Sequence, residues 1–210
     1  MDDNMMIRKK ARVAVDIDDV FWPLNEHVSR ISGIPYNRIV TFYARDNPLL
    51  SKPDAERLYA AYSTPELHAD MDFYPGAELF GGFADDPRVD PWLCSNSLDD
   101  RVVENKTRNL SGLLGGRWDR FGKMMNVIRM EDSKEKKFPP DIWLLIDDSP
   151  LNAVASGAEH VLMPIRPWNV STWGQGVLMP IRERVVYYAD IRQAMGIASR
   201  LLDIAFGPLK

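Results

Sequence analysis

The chain has 210 residues, 26 Lys and Arg against 30 Asp and Glu, a formal net charge of −4 and 45% apolar residues. That length suits one α/β domain with an insertion, or on length alone two small domains, and the weakly acidic balance excludes the basic footprint of a polynucleotide-binding surface while leaving small anionic ligands open. The single Cys94 excludes an internal disulfide and fits a reducing compartment; no apolar run reaches bilayer length and Met1-Asp2-Asp3-Asn4 leads into no signal-like core, so the expected location is cytoplasmic, away from membranes.

Residues 12–16 read as a buried strand, in which Val13-Ala14-Val15 runs straight into Asp16-Ile17-Asp18-Asp19. Residues 21–72 follow as a helical, aromatic-rich insertion, broken at Gly33-Ile34-Pro35, Asn47-Pro48, Lys52-Pro53 and Thr64-Pro65, with one helix over 53–62. After Phe73-Tyr74-Pro75-Gly76 the pattern predicts a helix at 77–83, strand 91–94, helix 99–114, strand 124–130, strand 142–146, helix 150–156, strand 160–163 and a closing amphipathic helix over 190–206. Residues 168–188 fit no single element. Val-Leu-Met-Pro-Ile-Arg occurs twice, at 161–166 and 177–182, by chance or as two similar edge strands. Strands alternating with helices imply a parallel sheet that binds its ligand at the strands' carboxyl ends.

Asp16 and Asp18, two apart, leave the chain on one side if the strand geometry persists. One carboxylate can attack a phosphoryl group while the other protonates the leaving oxygen and later activates water. Crowded acids also invite Mg²⁺, which favours one or two carboxylates plus phosphate oxygens. A second strand delivers Asp147-Asp148-Ser149-Pro150. Each cluster has a plainer reading, as a solvated turn or as a helix cap with Pro at the first helical position; both clusters together are harder to explain that way. Strand 91–94 brings Ser95-Asn96-Ser97 to the same edge, where a hydroxyl and backbone N–H groups can hold phosphate oxygens, or where Ser95 simply caps the next helix. A lysine is then needed for the developing charge, and Lys134, Lys136 and Lys137 compete for the place.

Rival signatures fail. Cys94 to Arg101 has one residue too many for a cysteine-phosphatase loop, so Cys94 is expected in the core; Gly122-Lys123 lacks the first glycine and the Ser/Thr of a P-loop, so Lys123 is expected at the surface; His27, His68 and His160 show no zinc spacing.

With these residues in place, the chain resembles the haloacid dehalogenase-like hydrolase superfamily over nearly its whole length. Asp16-Ile17-Asp18 matches the first motif, Ser95 the second and Asp147-Asp148 the fourth. The resemblance implies a Rossmann-like parallel α/β sheet formed by residues 1–20 and 73–210, with a small helical cap, residues 21–72, inserted after the first strand. It implies Asp16 as nucleophile, Asp18 as general acid/base, Ser95 and a third-motif lysine (Lys137 by spacing, Lys134 by residue type) on the phosphate, and Mg²⁺ held among Asp16, Asp18, Asp147 and Asp148. Within the superfamily the similarity is to the 5'(3')-deoxyribonucleotidase group, on Phe73-Tyr74-Pro75-Gly76-Ala77-Glu78-Leu79, Leu145-Ile146-Asp147-Asp148 and Pro167-Trp168-Asn169. That implies a nucleoside monophosphate substrate, with Asn96 and Lys106 or Arg108 as further phosphate contacts and Phe42 and Tyr43 stacking on the base or packing within the cap. Asp19 departs from the Gly or Asn that many relatives carry. Phosphatase action on another small metabolite, and a non-catalytic binding or regulatory scaffold, are the alternatives. Oligomeric state is not decided by these residues.

Overall fold

Val13-Ala14-Val15 forms the middle of strand β1 (Ala11–Asp16), the centre of the molecule. The computed structural model describes residues 10–41, 43–62, 64–97, 100–127 and 138–209. After β1 come helices α1 (Leu24–Ser32), α2 (Lys52–Tyr62) and α3 (Leu79–Ala84), then β2 (Val89–Ser97), α4 (Asp100–Leu114), β3 (Gly122–Val127), β4 (Leu144–Ile146), α5 (Pro150–Ser156) and β5 (His160–Pro164). Helices α6 (Pro167–Val170) and α7 (Thr172–Leu178), strand β6 (Val185–Tyr188) and α8 (Ile191–Phe206) complete it, with 3-10 turns at Tyr36–Arg38, Ala44–Asp46, Pro65–His68, Gly115–Arg120 and Met179–Arg184.

The six strands form one sheet in the order β3-β2-β1-β4-β5-β6, every neighbouring pair parallel. The chain therefore builds outward on one side of β1, crosses back, and builds outward on the other. Such a reversal opens a crevice at the carboxyl ends of the central strands, because the connections leave in opposite directions. Helices flank the sheet, as the sequence pattern predicts.

Strand alternation sorts the core into two faces. Val13, Val15, Leu144, Ile146 and Leu162 pack on one face with Phe80, Leu110, Ala194, Ala198 and Leu202. Ala14, Cys94, Leu145, Val161 and Met163 pack on the other with Ala153 and Leu178. Helix α8 runs from the side-chain cap of Asp190 on the amide of Gln193 to Gly207, whose positive φ of 81° ends it. Val28, Leu58, Ala61 and Leu67 of segment 21–72 belong to the first of these clusters, so the insertion shares apolar contacts with the sheet. No helix among the described residues is long and apolar enough to cross a membrane.

The unplaced stretch 168–188 resolves into two short helices, a 3-10 turn and the edge strand β6, elements too brief for any periodicity to register. The repeated hexapeptide is not a pair of edge strands: its first copy includes most of the interior strand β5, and its second straddles the end of α7 and the following 3-10 turn. Helices α6 and α7 meet closely at Gly174, where a Cβ would lie 2.2 Å from the Trp168 carbonyl oxygen and 2.7 Å from the Asn169 Cα. Both obstacles are backbone and cannot rotate away. Gly174→Ala is expected to lower stability by about 2–3 kcal/mol in denaturant unfolding; an unchanged midpoint would show that the α6–α7 turn is not held as described.

Candidate active site

Three strand ends converge on the crevice. Asp16 is the last residue of β1, Ser95 lies in β2 beside it, and Asp147 follows Ile146, the residue of β4 that pairs with Val15. Asp16, Asp147 and Asp148 are buried, and one carboxylate oxygen from each lies within 4.8 Å of the others. Three carboxylates so placed repel one another in a medium that screens poorly. A hard divalent cation with oxygen ligands relieves that repulsion, and the all-oxygen donor set fits Mg²⁺ better than a softer metal.

Neutral donors orient each carboxylate. The Asp16 Oδ1 accepts from the Ile17 amide at 2.7 Å, and the Asp147 Oδ1 accepts from the Ser149 amide at 2.8 Å and from Asn152 Nδ2 at 3.1 Å. The indole of Trp168 donates to Asp148 Oδ2 at 3.0 Å, while Asn169 Nδ2 donates to the Asp148 carbonyl at 3.2 Å and to the Pro164 carbonyl at 2.7 Å. Segment 168–188 thus begins with the residues that hold Asp148. The capping reading of Asp147-Asp148-Ser149-Pro150 is also correct, for Ser149: its hydroxyl accepts from the Asn152 amide at 3.3 Å and Pro150 opens α5. The cap itself is the serine's, while Asp147, though also bonded to Ser149 and Asn152, turns a carboxylate oxygen toward Asp16 and Asp148.

Asp18 lies beyond the strand, in a tight turn where the Asp19 amide donates to the Trp22 carbonyl at 2.9 Å. Its Oδ1 accepts from the Trp22 indole at 3.0 Å and its Oδ2 from Lys106 Nζ at 2.6 Å. Lys106 is 1% exposed and also donates to Ser95 Oγ at 2.9 Å and to the Asn96 carbonyl at 3.3 Å. Burial pushes the Asp18 carboxyl upward, but the charges of Lys106 and His68 and the two hydrogen bonds outweigh it and hold the group below the usual carboxylate range. Ser95 sits inside β2, five residues before the start of α4, and so does not cap that helix.

The resemblance assigns Lys106 only an auxiliary phosphate contact, yet it stands at the centre of this group. The signal was in its spacing: Val102, Lys106, Leu110 and Leu114 form the buried stripe of α4, one residue per turn, and a lysine on such a stripe needs an anion to meet. Its companion Arg108 points elsewhere, donating to the Ala69 carbonyl at 2.8 Å. Lys134, Lys136, Lys137 and Phe42 lie outside the described residues. Tyr43 precedes the 3-10 turn Ala44–Asp46 and accepts from Thr41 Oγ1 at 2.8 Å through its carbonyl. Cys94 is in the core as expected. Lys123 is exposed on edge strand β3, as expected, its ammonium 4.4 Å from the centre of the Trp118 ring. His27 lies tilted and His68 edge-on against the Trp22 ring, at 5.3 and 5.2 Å between ring centres.

Asp19 departs from the glycine pattern while keeping a glycine-like backbone, with φ of 56°. Its carboxylate accepts from the Asn25 amide at 3.1 Å and from Asn25 Nδ2 at 2.5 Å, and so supplies α1 with the N-terminal cap that Pro23 cannot give. Its carbonyl accepts from Arg166 Nη2 at 2.7 Å and Nε at 3.2 Å, and that guanidinium lies 4.9 Å from the centre of the Tyr74 ring. Burial pushes the Asp19 carboxyl up to about 7, against the pull of Arg166 and Asn25.

No family model and no curated relative matches the chain. Its structure is similar to a haloacid dehalogenase-like hydrolase family protein of Streptococcus pneumoniae, with a TM-score of 0.53 at 13% identity over 90% of this chain and 99% of that one. It is also similar to a protein of Haemophilus somnus described as a predicted phosphoglycolate phosphatase, with a TM-score of 0.54 at 11% identity over 91% and 99% of the two chains. The sheet order, the flanking helices and these likenesses establish that the chain has the Rossmann-like α/β fold of the haloacid dehalogenase-like hydrolases.

Proposed function

We propose that the protein is a Mg²⁺-dependent phosphomonoesterase acting through an aspartyl-phosphate, with a nucleoside monophosphate as substrate. The observation that carries this reading is the meeting of Asp16, Asp18, Ser95, Lys106 and the Asp147-Asp148 pair at one sheet edge: a nucleophile, an acid, a hydroxyl, a cation and a metal site. Asp16, Asp147 and Asp148 would hold Mg²⁺, which when bound neutralises phosphate charge and allows an anionic nucleophile to approach an anionic ester. Asp16 attacks phosphorus as the bond to the leaving oxygen breaks, and Asp18 gives that oxygen its proton. Asp18 then takes a proton from the water that attacks the aspartyl-phosphate, which releases inorganic phosphate and restores the Asp16 carboxylate. Lys106 holds Asp18 ionised in the resting arrangement; a phosphoryl group drawing Lys106 toward Ser95 loosens that hold and lets Asp18 carry the proton it needs.

Segment 21–72 is read as the cap over this edge, with Phe42 and Tyr43 as candidates to stack on a base. Trp168 and Asn169, part of the nucleotidase resemblance, are occupied with Asp148 and do not serve that purpose. The likeness to a protein described as a predicted phosphoglycolate phosphatase is in keeping with the phosphatase class and brings a second substrate reading, a small phosphorylated metabolite. Phosphate release from a panel of ribo- and deoxynucleoside 3'- and 5'-monophosphates, sugar phosphates, phosphoglycolate and an aryl phosphate separates the two. Release confined to nucleotides supports the first reading, and none on nucleotides removes it.

Metal removal gives a second test. Chelator should abolish release and Mg²⁺ restore it, and Asp147→Asn should raise the Mg²⁺ needed for half-maximal rate by at least about tenfold. Full activity in chelator would overturn the assigned metal site.

A further inference from the structure

We propose that Asp19, Asn25 and Tyr62 form a positioning relay through which the insertion fixes the acid Asp18; the inference rests on the phosphatase reading above. The turn after Asp18 is held at three points on Asp19: its amide on the Trp22 carbonyl at 2.9 Å, its carboxylate on Asn25, and its carbonyl on Arg166. The Asn25 NH₂ donates to Asp19 Oδ2 at 2.5 Å, and its amide oxygen then faces away. That oxygen receives the hydroxyl of Tyr62, the last residue of α2. Burial keeps the Tyr62 phenol far above its usual pKa, so the hydroxyl remains a donor. Without it, the Asn25 amide loses the partner that sets its orientation, and the positive-φ turn at Asp19 loses the contact that offsets its strain. The residue next to that turn is Asp18, whose proton has to reach the leaving oxygen. The Tyr62 hydroxyl donates to Asn25, so the relay runs from Tyr62 through Asn25 and Asp19.

A leaving-group comparison reads this role directly. An alkyl phosphate needs its leaving oxygen protonated and a nitrophenyl phosphate does not, so misplacing Asp18 penalises the first ester selectively. Tyr62→Phe is expected to lower kcat on glycerol phosphate by about tenfold and on p-nitrophenyl phosphate by less than about threefold. Asn25→Ala should show the same selectivity, and adding Tyr62→Phe to Asn25→Ala should cost nothing further. Equal losses on both esters, or none, would overturn the relay in favour of simple packing. If the wild-type protein releases phosphate from neither ester, the phosphatase reading is left to the nucleotide panel, and the relay is judged by amide hydrogen exchange across residues 16–22. Faster exchange in Tyr62→Phe supports it, and unchanged exchange overturns it.

Discussion

Asp16→Asn is expected to lower phosphate release by at least about a thousandfold with the fold intact. The substitution changes one atom. The amide keeps an oxygen for the Ile17 amide but offers a far weaker nucleophile, and no covalent intermediate forms at a useful rate. It also removes one of three crowded negative charges, so without added cation the variant should melt no lower than the wild type, while its stabilisation by Mg²⁺ should shrink. Thermal unfolding with and without Mg²⁺, run beside the activity assay, checks both halves. A variant turning over near the wild-type rate would remove the aspartyl-phosphate mechanism.

Lys106→Met should have the next largest effect, and on two properties at once. It removes the ammonium that meets Asp18 at 2.6 Å and Ser95 at 2.9 Å, leaving Asp18 charged and partly enclosed. Breaking a fully buried pair costs about 3–5 kcal/mol; the Asp18 side chain keeps 21% of its exposure, so the lower end or slightly less applies here. Activity should fall by about a hundredfold or more as the phosphoryl group loses its cation. Combining Lys106→Met with Asp18→Asn should recover stability without recovering turnover, because the orphaned charge is gone but the chemistry is not restored. The competing assignment gives the opposite pattern: Lys137→Ala or Lys134→Ala would be crippling and Lys106→Met mild in kcat.

The carboxylate motifs were legible because a short apolar strand ending in acids has few other uses, and Val13 to Asp18 and Leu144 to Asp148 both show it. The long amphipathic helices α4 and α8 were legible for a related reason, since each extends far enough for its period to emerge. Sequence proximity to β4 favours Lys134, Lys136 and Lys137, whereas the lysine that reaches Asp18 does so through a helix stripe on the other side of β1. Segment 168–188 resisted because α6 has four residues and its purpose, holding Asp148 through Trp168 and Asn169, is a long-range contact without local signature. The role of Asp19 was hidden likewise: a carboxylate in a glycine-like turn makes sense only when Asn25 is seen beside it.

The sheet order has a consequence for how the site comes into being. Asp147 and Asp148 meet Asp16 only through the pairing of β4 with β1, two strands far apart along the chain. In the open chain the acids are far apart and repel little. The electrostatic strain of the site therefore falls on that long-range pairing. A cation that binds only the completed cluster lengthens the lifetime of the folded chain more than it hastens folding.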